Sequence, residues 1–203
     1  MRTEPTVFVV DDDRDLCDSL RWLIESDGLR VETYASAQDF LDAYDPVRPG
    51  VLVLDVRMPG MDGLDLQQHL IGIGHGIPII ILTGHADVPM AVRAVKAGAL
   101  EFLQKPVNDQ ILLDCIRKAI RLDTQNRSKK KRKDEILTRM ALLTPREREV
   151  LNLVVAGKPN KQIAHELSVS EKTVEVHRKR LMKKVQVGSA VELVRVVLSA
   201  HEA

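Results

Sequence analysis

Asp11, Asp12, Asp55, Thr83 and Lys105 are the residues best placed to do chemistry, because each stands at the end of an apolar run. Thr6-Val-Phe-Val-Val10 runs into Asp11-Asp12-Asp13, and Val51-Leu-Val-Leu54 runs into Asp55. Ile77-Pro-Ile-Ile-Ile-Leu82 ends at Thr83, and Ala99-Leu-Glu-Phe-Leu103 leads to Lys105. If these runs lie side by side, carboxylates, a hydroxyl and an ammonium converge on one edge. Close carboxylates repel one another and lose hydration on burial, so a cation is the natural remedy. Oxygen donors without a nearby His or Cys favour Mg2+, which keeps an incomplete protein shell and fills it with water and phosphate. A Lys and a Thr hydroxyl beside such an ion suit the oxygens of a phosphoryl group. A lone Asp at a strand end is more often a helix or turn cap. Here the residue does not stand alone.

The positioning elements follow from periodicity. Val51–Leu54, closed by Met58-Pro-Gly60, has the pattern of a strand buried on both faces. Apolar Leu16, Leu20, Leu23 and Ile24 recur at helical spacing and predict a helix from about Arg14 to Ser26, stopped by Gly28. Arg30–Tyr34 supplies a further strand. Helices are predicted over 37–44, 64–71 and 88–97, and a last one begins near Asn108. Five βα units in succession predict an α/β fold, a (βα)5 doubly wound parallel sheet. Ligands of such sheets gather outside the carboxyl ends of the strands.

The chain has 203 residues, 44% of them hydrophobic but only 3% aromatic, so its cores are aliphatic. Up to Asp123 there are 12 Lys and Arg against 20 Asp and Glu; from Thr124 onward there are 18 against 9. An acidic module joined to a basic one suggests that the second half meets a polyanion. No apolar run is long enough to span a bilayer and no signal segment opens the chain, so no membrane partner is expected. Cys17 and Cys115 lack metal-type spacing and read as reduced thiols, which points to the cytoplasm. The expected division is residues 1–122, a basic helical linker over 123–140, and a second domain over 141–203.

The linker carries Arg127-Ser-Lys-Lys-Lys-Arg-Lys133 and no Pro or Gly. It reads either as a solvated connector or as added sequence-independent attraction to DNA. Beyond it, Thr144-Pro-Arg-Glu147 is a capping box with Pro at the first helical position. Short helices follow at Asn160–Leu167 and Glu171–Val185, and Ser189 with Glu192 forms another capping box that opens a fourth, to about Ala200. Together these predict a separate all-α, four-helix, helix-turn-helix domain. On a wheel of helix 171–185, Val174, Leu181 and Val185 share one face. Lys172, Glu175, Val176, Lys179 and Lys183 share the opposite one. Cations around an exposed Val suit a helix reading the major groove, where the Val meets a thymine methyl. Thr173 belongs with this surface, and His177 and Arg178 flank the buried edge within reach of phosphates.

Val-Val-Asp-Asp-Asp, Leu-Asp-Val-Arg-Met-Pro-Gly-Met-Asp-Gly, Leu-Thr-Gly-His and Phe-Leu-Gln-Lys-Pro stand in order over residues 6–122, and this half resembles the receiver domain of a two-component response regulator. Residues 143–200, with Leu-Thr-Pro-Arg-Glu-Arg-Glu-Val-Leu, Asn-Lys-Gln-Ile-Ala, Thr-Val-Glu-Val-His and Glu-Leu-Val-Arg, resemble the LuxR-type helix-turn-helix domain. The pairing resembles the NarL/FixJ class. The resemblance implies that a sensor histidine kinase phosphorylates Asp55. It also implies that Asp11, Asp12, Asp55 and the main-chain carbonyl of Arg57 hold Mg2+. Thr83 would bind the phosphoryl group, Lys105 would pair with it, and Phe102 would be the switch aromatic. A cis Lys105–Pro106 bond is implied too, and Arg57 and His85 occupy positions that tune dephosphorylation. Relatives dimerise when phosphorylated, bind two half-sites of double-stranded DNA, contact RNA polymerase and mostly activate transcription. They are not enzymes beyond acting on their own phosphoryl group. Bases are read from positions matching Glu175, Val176 and Lys179. Glu175 departs from the usual basic residue, and Pro159 is unusual before the second helix; both leave the target sequence open. A Mg2+-dependent phosphohydrolase is the enzymatic rival, and Arg57 stands where it would need a second acid.

Overall fold

A computed structural model describes residues 4–201, apart from the side chains of residues 199–201. The chain separates into two compact units, one up to Arg127 and one from Ser128. The first holds β1 (Thr6–Val10), α1 (Arg14–Ser26), β2 (Arg30–Tyr34), α2 (Ala37–Ala43), β3 (Gly50–Leu54), α3 (Gly63–Gly72), β4 (Ile79–Thr83), α4 (Val88–Lys96) and β5 (Glu101–Gln104). The strands are all parallel, in the order β2-β1-β3-β4-β5. The predicted doubly wound α/β sheet is present, with its switch point between β1 and β3.

The central strands β1, β3 and β4 are buried along their whole length because they are covered twice, while the edge strands β2 and β5 carry Arg30, Glu32, Glu101 and Gln104. Phe8, Val10, Leu52, Leu54 and Ile81 face Phe40, Leu66 and Leu70 on one side. Val7, Val9, Val51, Val53 and Ile80 face Leu20, Ile24, Leu112 and Ile116 on the other. The alternation along each strand sends neighbouring residues to opposite cores. Two strands are shorter than their apolar runs. Pro78 has no N–H to donate, so regular pairing in β4 begins at Ile79. The Ala99 N–H closes α4 by donating to Ala94 O at 2.9 Å, beside Gly98 at φ 87°, so β5 begins at Glu101.

α5 runs unbroken from Asp109 to Ala141. Its middle is not simply solvated. Asp123, 2% exposed, accepts from the Gly50 N–H at 3.0 Å and pairs with Arg127 Nε at 2.8 Å. Arg127 donates onward to the carbonyls of Pro46 (2.9 Å), Val47 (3.0 Å) and Arg48 (2.6 Å). Five hydrogen-bonding directions of one guanidinium are nearly all used, which fixes the first part of the expected linker to the sheet. None of the described helices is long and apolar enough to cross a membrane.

The second unit packs α6 (Pro145–Val155), α7 (Asn160–Glu166), α8 (Glu171–Val185) and α9 (Ala190–His201) with the last part of α5. Val150, Ile163, Val174, Leu181, Val185 and Leu193 form its aliphatic core. The predicted capping box closes both ways: Thr144 N–H donates to Glu147 at 2.9 Å, and Glu147 N–H donates to the Thr144 hydroxyl at 3.3 Å. At the start of α9, Glu192 N–H donates to Ser189 Oγ at 3.1 Å, while Glu192 accepts from Gly188 N–H rather than from Ser189. Lys184 reaches Glu147 at 2.7 Å. Burial pushes the Glu147 carboxyl up, but the Lys184 ammonium and the Thr144 donors outweigh it and hold it below 4.5. The group therefore adds stability above pH 4.5 that is lost as pH falls through the lowered value. Glu147→Gln is expected to weaken this unit by about 1–2 kcal/mol at neutral pH, less than a fully buried pair because Lys184 is partly exposed. Circular-dichroism melts should show the gap from wild type closing below pH 4.5.

Candidate phosphoryl and metal site, and candidate DNA interface

Strand register builds the first site. Val10 pairs with Leu54, so Asp11 and Asp55 leave the sheet side by side. The ladder continues into them: Asp55 N–H donates to Val10 O at 2.9 Å, and Asp11 N–H donates to Tyr34 O at 3.1 Å. On the other side Thr83 pairs with Gln104, and Lys105 N–H donates to Thr83 O at 2.9 Å. The Lys105–Pro106 bond is cis.

The side chains meet where the sequence placed them. Carboxylate oxygens of Asp11, Asp12 and Asp55 all lie within 4.8 Å of one another, with Asp11 and Asp55 buried and Asp12 exposed. Lys105 Nζ donates to Asp11 Oδ2 at 2.6 Å and stands 3.6 Å from Asp55 Oδ1. That last oxygen is buried and has no hydrogen-bond partner. Burial pushes the Asp11 carboxyl above its ordinary value, against the pull of the Lys105 ammonium and the Asp13 N–H. One ammonium cannot balance three clustered carboxylates. An unsatisfied buried oxygen in an all-oxygen donor set fits Mg2+.

Thr83 is fully buried at the end of β4, and its hydroxyl accepts from the His85 N–H at 3.4 Å. Phe102 is half-buried on β5, packed against the core that includes Ile81 and Phe8. Arg57 is exposed and lines an open cleft of about 620 Å³ together with Asp12, Asp62, Asp87 and Arg93. Cys17 donates weakly to Asp11 O at 3.4 Å; burial and the neighbouring carboxylates push its thiol up to about 11, so it stays protonated.

Gly63 is a sterically constrained position beside the site, and the apolar pattern did not single it out. A Cβ there would stand 2.0 Å from the Asp55 carbonyl oxygen. Its N–H donates to Val56 O at 2.8 Å, so α3 starts hard against the main chain of the acceptor residue. The requirement comes from this close approach alone.

In the second unit, α8 exposes Lys172, Glu175, Val176, Lys179 and Lys183, with Val176 at 43%. Val174, Leu181 and Val185 are buried at 1% or less, as the wheel predicted. Thr173 is half-buried and takes part in the helix start, where Ser170 Oγ accepts its N–H at 3.1 Å. His177 is half-buried with Nδ1 enclosed and unpartnered. Arg178 donates to Asn160 Oδ1 at 2.6 Å, so its guanidinium ties α8 to the start of α7 instead of reaching outward. Lys172, Lys179 and Lys183 join no ion pair among the described residues.

Comparison with known proteins gives a family for each half of the chain. Residues 7–117 match the response regulator receiver domain, and residues 141–197 match the luxR family of bacterial regulatory proteins. The chain is 45% identical to the response regulator protein TmoT of Ectopseudomonas mendocina, over 95% of this chain and 88% of that one. It is 42% identical to the transcriptional regulatory protein FixJ of Bradyrhizobium diazoefficiens, over 98% of each. The solved structure of the response regulator StyR superposes with a TM-score of 0.88 at 47% identity, over 97% of this chain and 99% of that one. Full-length FixJ from B. japonicum gives 0.60 at 42% identity, over 99% of each. With its receiver domain in front of a luxR-type helix-turn-helix domain, the chain belongs to the two-component response regulators of the NarL/FixJ class.

Proposed function

We propose that Asp55 accepts a phosphoryl group from a sensor histidine kinase, and that this switches sequence-specific DNA binding through α8. In this reading residues 1–122 are the phosphoacceptor, 123–140 the linker and 141–203 the DNA reader. The observation that carries it is the unpartnered Asp55 Oδ1, buried among two further carboxylates with the Lys105 ammonium 3.6 Å away. An Asp55 oxygen forms the new bond to phosphorus as the phosphorus–nitrogen bond of the kinase phosphohistidine breaks, and a proton goes to the leaving imidazole. Lys105 pairs with a phosphoryl oxygen, and the Thr83 hydroxyl donates to another. Asp11, Asp12, Asp55 and the Arg57 carbonyl would hold Mg2+, which supplies charge neutralisation at the phosphoryl oxygens. Movement of Thr83 toward the phosphoryl group frees space into which Phe102 turns. Arg57 and His85, both exposed beside the site, govern access of the water that later removes the phosphoryl group.

The switched state is a homodimer that sets two α8 helices on neighbouring half-sites of double-stranded DNA, contacts RNA polymerase and activates transcription in the cytoplasm. Lys172, Thr173, Lys183 and His177 meet the duplex around base contacts from Glu175, Val176 and Lys179. Selection of bound duplexes from a random pool, with and without acetyl phosphate and Mg2+ at fixed salt, tests this. A two-fold-symmetric site enriched mainly with the phosphodonor supports it; equal enrichment in both arms moves the regulated step elsewhere.

Gly63→Ala should slow acyl-phosphate formation by on the order of tenfold to a hundredfold, because the new methyl displaces the Asp55 main chain. It should also lower stability by about 1–3 kcal/mol. Stopped-flow phosphorylation by acetyl phosphate and chemical denaturation measure the two effects.

A further inference from the structure

Lys129-Lys130-Lys131-Arg132-Lys133 are consecutive cations on α5, inside the second compact unit. Lys129 to Arg132 are exposed and Lys133 is half-buried. None of them joins an ion pair among the described residues, although Asp134 and Glu135 follow directly. Like charges one turn apart, as at Lys129 and Lys133, oppose helix formation. The run therefore weakens its own helix, and the described chain offers it no relief.

Ile136, 5% exposed, anchors this part of α5, and a groove lies on each flank. One groove, of about 660 Å³, is lined by Lys129, Lys130, Arg132, Lys133 and Arg195 over an apolar floor that includes Ile136. Arg195 comes from α9, is exposed and joins no ion pair among the described residues. Among the described residues no acid lines this groove. The opposite groove mixes Glu135 and Glu192 with its cations. The single-sign surface is thus confined to one flank and built from two helices.

The occupant is a polyanion, and its type follows from what the groove lacks. From Ser128 to the end there is no Phe, Tyr or Trp. Unstacked bases of single strands are normally held by such rings. Duplex DNA needs none: it presents one charge per about 1.7 Å of axis, and the helical stretch 129–133 spans about 6 Å. We propose that this groove grips the phosphate backbone of the duplex outside the base pairs read by α8, an inference that rests on the second unit being the DNA reader. The grip adds affinity without base preference.

The test uses the full-length Lys129→Gln/Lys130→Gln/Lys133→Gln/Arg195→Gln protein. Binding is titrated over a range of salt on a mixed-sequence duplex and on a duplex enriched from the random pool. The slope of log affinity against log salt should fall by about 3–4, and both duplexes should lose affinity by a similar factor, on the order of tenfold or more. Their ratio should be preserved. Val176→Ala, run in parallel, should cut the preference for the enriched duplex while leaving the slope unchanged. An unchanged slope in the quadruple variant overturns the grip, while loss of preference in the Val176 variant still upholds DNA reading by α8. A wild-type chain with no preference between the duplexes overturns both. A quadruple variant that keeps its DNA slope but no longer sediments with phosphatidylserine vesicles assigns the groove to a lipid surface instead. If the variant melts early, the single Lys129→Gln, Lys130→Gln and Arg195→Gln proteins replace it; each should lower the slope by about 1, and unchanged slopes in all three overturn the grip.

Discussion

Asp55→Asn is expected to abolish acyl-phosphate formation while making the metal-free protein more stable, not less. The loss follows from chemistry, since an amide cannot act as the nucleophile that the carboxylate provides. The gain follows from the geometry. Asp55 is 8% exposed, its Oδ1 has no hydrogen-bond partner, and Lys105 already spends its short contact on Asp11. The Asp55 charge is thus only partly compensated. Removing it should raise unfolding free energy in chelator by about 1–2 kcal/mol. Mg2+ affinity should fall by at least about tenfold, as befits a lost ligand. Phosphate-affinity gels after acetyl phosphate treatment and melts in EDTA measure these together. Wild-type phosphorylation of the variant would move the acceptor to another residue.

Lys105→Met has the opposite sign in stability. Lys105 is 20% exposed and is the cation paired with both buried carboxylates. Its removal leaves Asp11, Asp12 and Asp55 within 4.8 Å of one another with that compensation gone. A cost of about 2–4 kcal/mol is expected in chelator, somewhat below that of breaking a fully enclosed pair. Mg2+ should rescue much of this loss and bind more tightly than to wild type, because no ammonium competes for Asp11. Phosphorylation should still slow by about 100- to 1000-fold, the usual effect of deleting one charge-stabilising group. Calorimetric melts with and without Mg2+ separate the two. A variant as stable as wild type in EDTA would show that the ammonium does not balance the cluster.

Much of the site was legible because a strand buried on both faces leaves a continuous apolar run, and the first polar residue after it marks the active edge. Asp11, Asp55 and Thr83 were visible for that reason, whereas Lys105 follows Gln104 on a half-buried edge strand and was visible through the Phe-Leu-Gln-Lys-Pro motif. The buried face of α8 was equally plain from Val174, Leu181 and Val185. What stayed hidden depends on partners remote in sequence. Asp123 and Arg127 look like ordinary linker charges until the Gly50 N–H and the carbonyls of residues 46–48 are brought to them. Arg178 reads as a phosphate contact until Asn160 takes its guanidinium. Gly63 is one glycine in a turn-rich motif, and only the path of the main chain reveals that no side chain fits. The ends of β4 and β5 moved because the Pro78 nitrogen and the Ala99 N–H are unavailable to the ladder, a backbone matter that hydrophobic pattern does not encode.

The most direct test of a phosphorylation-controlled DNA switch is the affinity of the full-length protein for its selected duplex, measured by anisotropy at fixed salt. Titrations would run with and without acetyl phosphate and Mg2+, beside Asp55→Asn. The phosphodonor should tighten wild-type binding about 5- to 150-fold, the usual range of coupling between two sites, and leave the variant unmoved. Superimposable wild-type isotherms in the two conditions, with Asp55 verified as phosphorylated, would contradict it.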